Sequence, residues 1–110
     1  MNAFKPYSRT EPSRAEVDAL PGTTVLEFGA PWCGICLGAQ PAIASVLADH
    51  PEVRHLKIED GPGRPLGRSF RVKLWPTLVV LRDGREIERL VRPLGREPIA
   101  EALARQVAAT

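Results

Sequence analysis

The chain has 110 residues, 44% of them hydrophobic and 25% charged, with a net charge of +2 and aromatics scarce at 5%. That length suits one domain over residues 1–110 with a hydrophobic core of its own, and leaves no room for two. So small a charge argues against a nucleic-acid or membrane-surface partner, and no apolar run approaches the about 20 residues of a membrane span.

In chain order, residues 1–10 read as a loosely ordered arm without the apolar stretch of a secretory signal, so a cytoplasmic location is expected. Ser13-Arg14-Ala15-Glu16 fits a capping box and predicts a short helix that stops near Leu20, before the Pro21-Gly22 turn. Residues 24–28 form a β-rich run, read as a buried strand. From Cys36 to Ala48 small and apolar residues continue, with Ile43, Val46 and Leu47 at helical spacing and Pro51 closing the pattern. Pro41 sits inside this helix and should kink it or remove one hydrogen bond. A second strand fits residues 53–58, a turn-rich connector 59–65, and a short helix 66–71. Leu78-Val79-Val80-Leu81 is a third strand, and Asp83-Gly84 turns the chain into a fourth over residues 86–91. The last helix starts near Pro98 and shows Ile99, Leu103 and Val107 on one face. The first half implies parallel strands joined by crossover helices and the second adds an antiparallel edge, giving a mixed sheet covered on both faces.

The chain has two cysteines, Cys33 and Cys36, three positions apart. A bond between them closes almost no loop and adds little stability, so reactivity explains the pair better than architecture. Cys33 falls where a strand gives way to a helix, and the unpaired amides of a helix start favour a thiolate, the form that attacks disulfides. Cys36, one turn deeper, is suited to resolving the mixed disulfide. The rival reading is half of a zinc site. Tetrahedral zinc wants four ligands, no third cysteine exists, and His50 and His55 are read as outside a finger's arrangement. The run Gly61-Pro62-Gly63-Arg64-Pro65-Leu66-Gly67 has the wrong spacing for a dinucleotide loop, and its prolines remove amide donors.

Ala30-Pro31-Trp32-Cys33-Gly34-x-Cys36, Pro41 in the following helix, Trp75-Pro76-Thr77 before an apolar strand and the Asp83-Gly84 hairpin together resemble the thioredoxin family, from about Thr23 to the C-terminus. Ile35 stands where thioredoxins usually carry proline. The resemblance implies a thioredoxin-like three-layer α/β fold, a mixed sheet of four strands, or five if the arm adds one, with helices on both faces. It implies a thiol–disulfide oxidoreductase that reduces protein disulfides through the Cys33/Cys36 couple. Glu27 interrupts the apolar run Val25-Leu26-x-Phe28 and matches the family's buried aspartate, thought to take the proton from the second cysteine; burial would raise its pKa toward neutrality, against the plainer reading of a strand residue facing solvent. Pro76 matches a cis-proline that faces the cysteines and leaves the backbone of the preceding residue, here Trp75, free to pair with a substrate strand.

Trp32, Gly34, Ile35, Trp75 and Pro76 are therefore the expected substrate-binding residues. His55 falls where the family has a lysine and could pair with Glu27, or be an ordinary half-exposed strand histidine. Arg92 replaces a glycine near the groove and with Lys73 could make the rim basic, against the plainer reading of a solvated charge. No cofactor or metal is expected within the chain. The expected partners are protein disulfides and a thioredoxin-reductase-like electron donor, with the chain itself monomeric. The alternative is a thioredoxin-fold binding module, a chaperone or assembly adaptor with secondary redox activity.

Overall fold

The computed structural model describes residues 4–108, without the side chains of 107 and 108. The elements follow as α1 (Arg14–Asp18), β1 (Thr23–Gly29), α2 (Gly34–Ala48), β2 (Arg54–Glu59), α3 (Pro65–Ser69), β3 (Thr77–Arg82), β4 (Arg85–Val91) and α4 (Glu97–Ala108). The strands form one sheet in the order β2-β1-β3-β4. β1 and β2 are parallel, as a strand–helix–strand crossover requires, while β3 runs antiparallel to both β1 and β4. The antiparallel pairing thus reaches the centre of the sheet instead of being confined to its edge. The reason is that α3 carries the chain past β1 and returns it in the opposite sense.

Local chemistry explains the element ends. Ser13 caps α1: its hydroxyl accepts from Glu16 N at 3.0 Å, and the Glu16 carboxylate accepts from Ser13 N at 2.8 Å. Pro41 lies inside α2 without breaking it, on an exposed face where the missing N–H costs one bond. The β3–β4 turn places Asp83 at φ 51 and Gly84 at φ 81, the left-handed pair of a tight hairpin. A Cβ at Gly84 would collide with the Asp18 carbonyl, so the turn packs directly on the end of α1.

Side chains divide cleanly between the two faces of the sheet. Leu26, Phe28 and Val79 pack with Val17 of α1 and with Leu66 and Phe70 around α3. Val25, Leu78 and Val80 pack with Ile43 and Val46 of α2 and Ile99 and Leu103 of α4. Each fully buried side chain of this kind contributes roughly 1.5–3 kcal/mol. The Val107 part of the α4 pattern lies outside the described side chains. The arm is not loose from Tyr7 onward: Ser8 N donates to Lys57 O at 2.8 Å and Glu59 N to Ser8 O at 2.9 Å. This makes a single parallel bridge on the β2 edge, short of a fifth strand among the described residues. Residues 1–3 of the predicted arm lie outside those described.

Candidate active site

Strand β1 ends at Gly29 and α2 begins at Gly34, so the loop between them sits at the end of a central strand with Cys33 as the helix N-cap. In this position Cys33 Sγ accepts a hydrogen bond from Cys36 N at 3.2 Å. An amide of the first turn, unpaired within the helix, is thereby aimed at the sulfur where negative charge would develop. Cys33 is partly exposed and Cys36 fully buried, and both are free thiols. Burial pushes the Cys36 thiol up to about 11, with the hydrogen bond to Cys33 adding to the effect. One turn of helix thus holds two sulfurs in opposite environments.

Around the pair, Trp32 is 71% and Ile35 50% exposed, and Gly34 presents bare backbone beside them. The Trp75–Pro76 peptide is cis, and Arg92 N donates to Pro76 O at 2.9 Å. Trp75 is less free than expected. Its indole N–H donates to Asp60 Oδ2 at 2.9 Å, and its ring meets Trp32 edge-on with centroids 5.4 Å apart. Its carbonyl accepts from Arg92 Nε at 2.8 Å. Arg92 is therefore neither a merely solvated charge nor only part of a basic rim, because it occupies the backbone group expected to be open. Lys73 lines a separate cleft with Asp60, Arg64, Arg68 and Arg71.

Glu27 is fully buried on the α2 side of the sheet. His55 does pair with it, Nε2 to Oε1 at 3.0 Å, while Gln40 Nε2 and Tyr7 Oη donate to Oε2 at 2.8 and 2.7 Å. The pairing follows from strand register, since β1 and β2 are parallel with Val25 beside His55 and Glu27 beside Lys57. The expected rise in the Glu27 pKa is not found. Burial does push it up, but the bonds from His55, Gln40 and Tyr7 outweigh burial and hold the carboxyl below its ordinary value. Nor does Glu27 bond Cys36 directly: its partners among the described residues are His55, Gln40 and Tyr7.

Three members of this network escape a reading of the sequence. Tyr7 comes from the arm. Gln40 also donates to Cys36 O at 3.0 Å and so ties the acid to the cysteine helix. Lys57 donates to Gln40 Oε1 and Lys5 O and lies 4.6 Å over the Tyr7 ring. Burial lowers the Lys57 pKa, and the charges of Glu27 and Cys36 oppose that shift. The one available signal was Gly29: a glycine inside a buried strand often marks a close approach by another group. A Cβ there would fall 2.8 Å from Cys36 Sγ and closer still to Tyr7 Oη.

Zinc can be judged on partners as well as spacing. His50 and His55 have four residues between them, an interval that a zinc finger's histidines do use, so the sequence argument against them was too strict. Their partners differ, however: His50 lies 3.2 Å from Glu52, and His55 is bound to Glu27. Among the described residues no group of three or more His, Cys, Asp or Glu side chains could hold a metal ion. No helix there is long and apolar enough to cross a membrane.

A surface sulfur at a helix start, backed by a buried one a turn below, belongs to the class of dithiol–disulfide exchange proteins. Comparison with known proteins makes the family specific. The thioredoxin family model matches residues 9–105. Thioredoxin of Chlamydia trachomatis is 37% identical over 71 residues, 64% of this chain and 69% of that protein. The Chlamydia muridarum thioredoxin is 32% identical over 85 residues, 76% of this chain and 82% of that one. The solved structure of reduced thioredoxin 2 from Pseudomonas aeruginosa PAO1 is 56% identical, with TM-score 0.86, covering 96% of this chain and 98% of that one. The chain belongs to the thioredoxin family. It has the thioredoxin fold and is a thiol–disulfide oxidoreductase with protein-disulfide reductase activity.

Proposed function

We propose that the chain works in the reducing direction, with Cys33 as the attacking sulfur and Cys36 as the resolving one. The observation that carries the assignment is the contrast between the two: Cys33 is reachable and capped by an amide, whereas Cys36 is sealed and pushed up to about 11. Cys33 thiolate attacks a substrate disulfide, forming a mixed disulfide and releasing the first substrate thiolate. Cys36 then attacks Cys33 Sγ, the second substrate sulfur departs with the bonding pair, and the protein is left oxidised by two electrons.

Trp32, Gly34, Ile35 and the Trp75–Pro76 segment shape the docking surface, whose exposed apolar side chains suit an unfolded or extended protein strand. A substrate strand pairing at Trp75 O displaces the Arg92 side chain from it. Reducing equivalents come from a thioredoxin-reductase-like flavoenzyme, and the chain acts as a monomer in the cytoplasm. The test is reduction of insulin disulfides by wild type and by Cys33→Ser. Catalysis well above that of free dithiol, abolished in the variant, supports the reading. A wild-type rate equal to free dithiol points to a binding or assembly adaptor instead.

A further inference from the structure

The exchange mechanism leaves one difficulty at Cys36. With its thiol at about 11, on the order of one molecule in 10⁴ carries the thiolate at pH 7, so the resolving step needs help with a proton. Glu27 is the nearby base, yet its oxygens are held by His55, Gln40 and Tyr7, and none of these bonds goes to the sulfur. The group that reaches both sides is the Tyr7 hydroxyl. It donates to Glu27 Oε2 at 2.7 Å and borders, with Cys36 Sγ, the small space left open over Gly29. Its interaction with the Cys36 sulfur favours the ionised thiol, offsetting part of the burial effect. The tyrosine is itself nearly buried and held in place by the bonds of Ser8 to the β2 backbone and by the Lys57 ammonium over its ring.

We propose that Tyr7 is the proton bridge between Cys36 and Glu27 in resolution of the mixed disulfide, the glycine at 29 being the opening through which its hydroxyl meets the sulfur. With its O–H donated in the hydrogen bond to Glu27, the phenol oxygen turns a lone pair to the Cys36 S–H. As Cys36 attacks Cys33 Sγ, its proton passes to Tyr7 Oη while the Tyr7 proton passes to Glu27 Oε2. The Cys33–Cys36 bond forms, the bond from Cys33 to substrate breaks, and the substrate sulfur leaves with the electron pair and takes a proton from solvent. Glu27, held below the usual carboxylate range by its other donors, does not keep the proton and discharges it to solvent. Burial and the Glu27 charge hold the phenol pKa far above its ordinary value, so the ring passes a proton on as it receives one and never rests as phenolate. The other charged groups around the bridge are His55 on Glu27 and Lys57 over the ring.

This inference rests on the proposed roles of the two cysteines, and the experiment keeps the two apart. Cys33 is loaded with thionitrobenzoate, and release of the coloured thiol by Cys36 is followed by stopped flow from pH 5 to 9. Attack by Cys33 is measured separately in a Cys36→Ser background. Tyr7→Phe keeps the ring and removes only the oxygen. The expected result is release slowed at least about tenfold at pH 7, with a rate that climbs close to tenfold per pH unit, and Cys33 attack unchanged. Unaltered release and pH profile in a folded Tyr7→Phe would overturn the bridge while leaving the exchange mechanism intact. Failure of the wild type to release at all would instead overturn the cysteine assignment.

Tyr7 is the only tyrosine in the chain, so uniform 3-fluorotyrosine labelling alters this one hydroxyl in an otherwise native protein. Should Tyr7→Phe not fold, the more acidic fluorophenol decides. A changed release rate, with a ¹⁹F shift on oxidation of the cysteines, supports the bridge. An identical rate refutes it.

Discussion

Removing Cys33 isolates the chemistry of Cys36 and allows a quantitative forecast. At pH 7 an ordinary cysteine, with a pKa of about 8.5, is a few per cent ionised. Burial holds Cys36 at about 11, so it carries roughly 300-fold less thiolate. The more basic sulfur is the better nucleophile once ionised, and a Brønsted slope of about 0.4–0.5 over this shift returns roughly tenfold. In Cys33→Ser, iodoacetamide should therefore label Cys36 more slowly than glutathione by up to about 30-fold on ionisation grounds, with the 0% exposure of the sulfur slowing it further. The hydrogen bond to Cys33, the lesser cause of the shift, is lost in this variant, whereas burial remains. Labelling is read by mass spectrometry in native buffer, with circular dichroism to show that the fold persists. Labelling as fast as glutathione at pH 7 in the folded protein would refute the argument that burial silences this sulfur.

Two further outcomes follow from other parts of the molecule. Glu27 is held below its unfolded value, so its stabilising contribution is fully present above the ordinary carboxylate pKa of about 4.3 and is lost as pH falls through the lower folded value. Glu27→Gln cannot ionise, so its urea midpoint should change less than that of wild type between pH 5 and 2, and parallel acid limbs would contradict this. Ser13→Ala removes the α1 cap and should cost about 1 kcal/mol, or roughly 4–8 °C in Tm by calorimetry, with insulin reduction at 25 °C unchanged.

What was legible in the sequence was what neighbouring residues decide among themselves. The capping box spans four positions, the hairpin turn two, and the cysteine pair declares itself because a single helical turn sets both sulfurs. The cis peptide at Trp75–Pro76 was expected from the thioredoxin resemblance and not from its neighbours alone. What failed depends on register and on approach by distant segments. Glu27 was singled out as the match to the family's buried acid, but the sign of its pKa shift depends on His55, Gln40 and Tyr7, 28, 13 and 20 positions away. No local pattern places Lys57 beside Glu27; parallel pairing of β1 and β2 does. Trp75 was read as having a free backbone and Arg92 as a basic rim or a solvated charge because their restraints, Asp60 and the Trp75 carbonyl, are 15 and 17 positions distant.

The arm is the clearest case, and it changes how the site is understood. A polar, proline-containing opening segment gives no periodic signal, yet its backbone continues the sheet at Ser8 and its side chain at Tyr7 lies against the buried acid. Opposite it, Gly29 has no side chain, so β1 cannot fill that space from within. A glycine in a central strand weakens the strand unless something occupies the gap. Here the occupant brings a hydroxyl to the two groups that must exchange a proton. Cys33 is served by the helix start, which any strand–turn–helix provides. Cys36 is served by a segment more than 25 positions earlier, which is held to the site by pairing of Ser8 to the edge of β2, by the Tyr7–Glu27 bond and by Lys57 over the ring. The reactivity of the buried sulfur is therefore tied partly to an edge contact, the part of a sheet most easily frayed, while that of the exposed sulfur is built into the core of the fold.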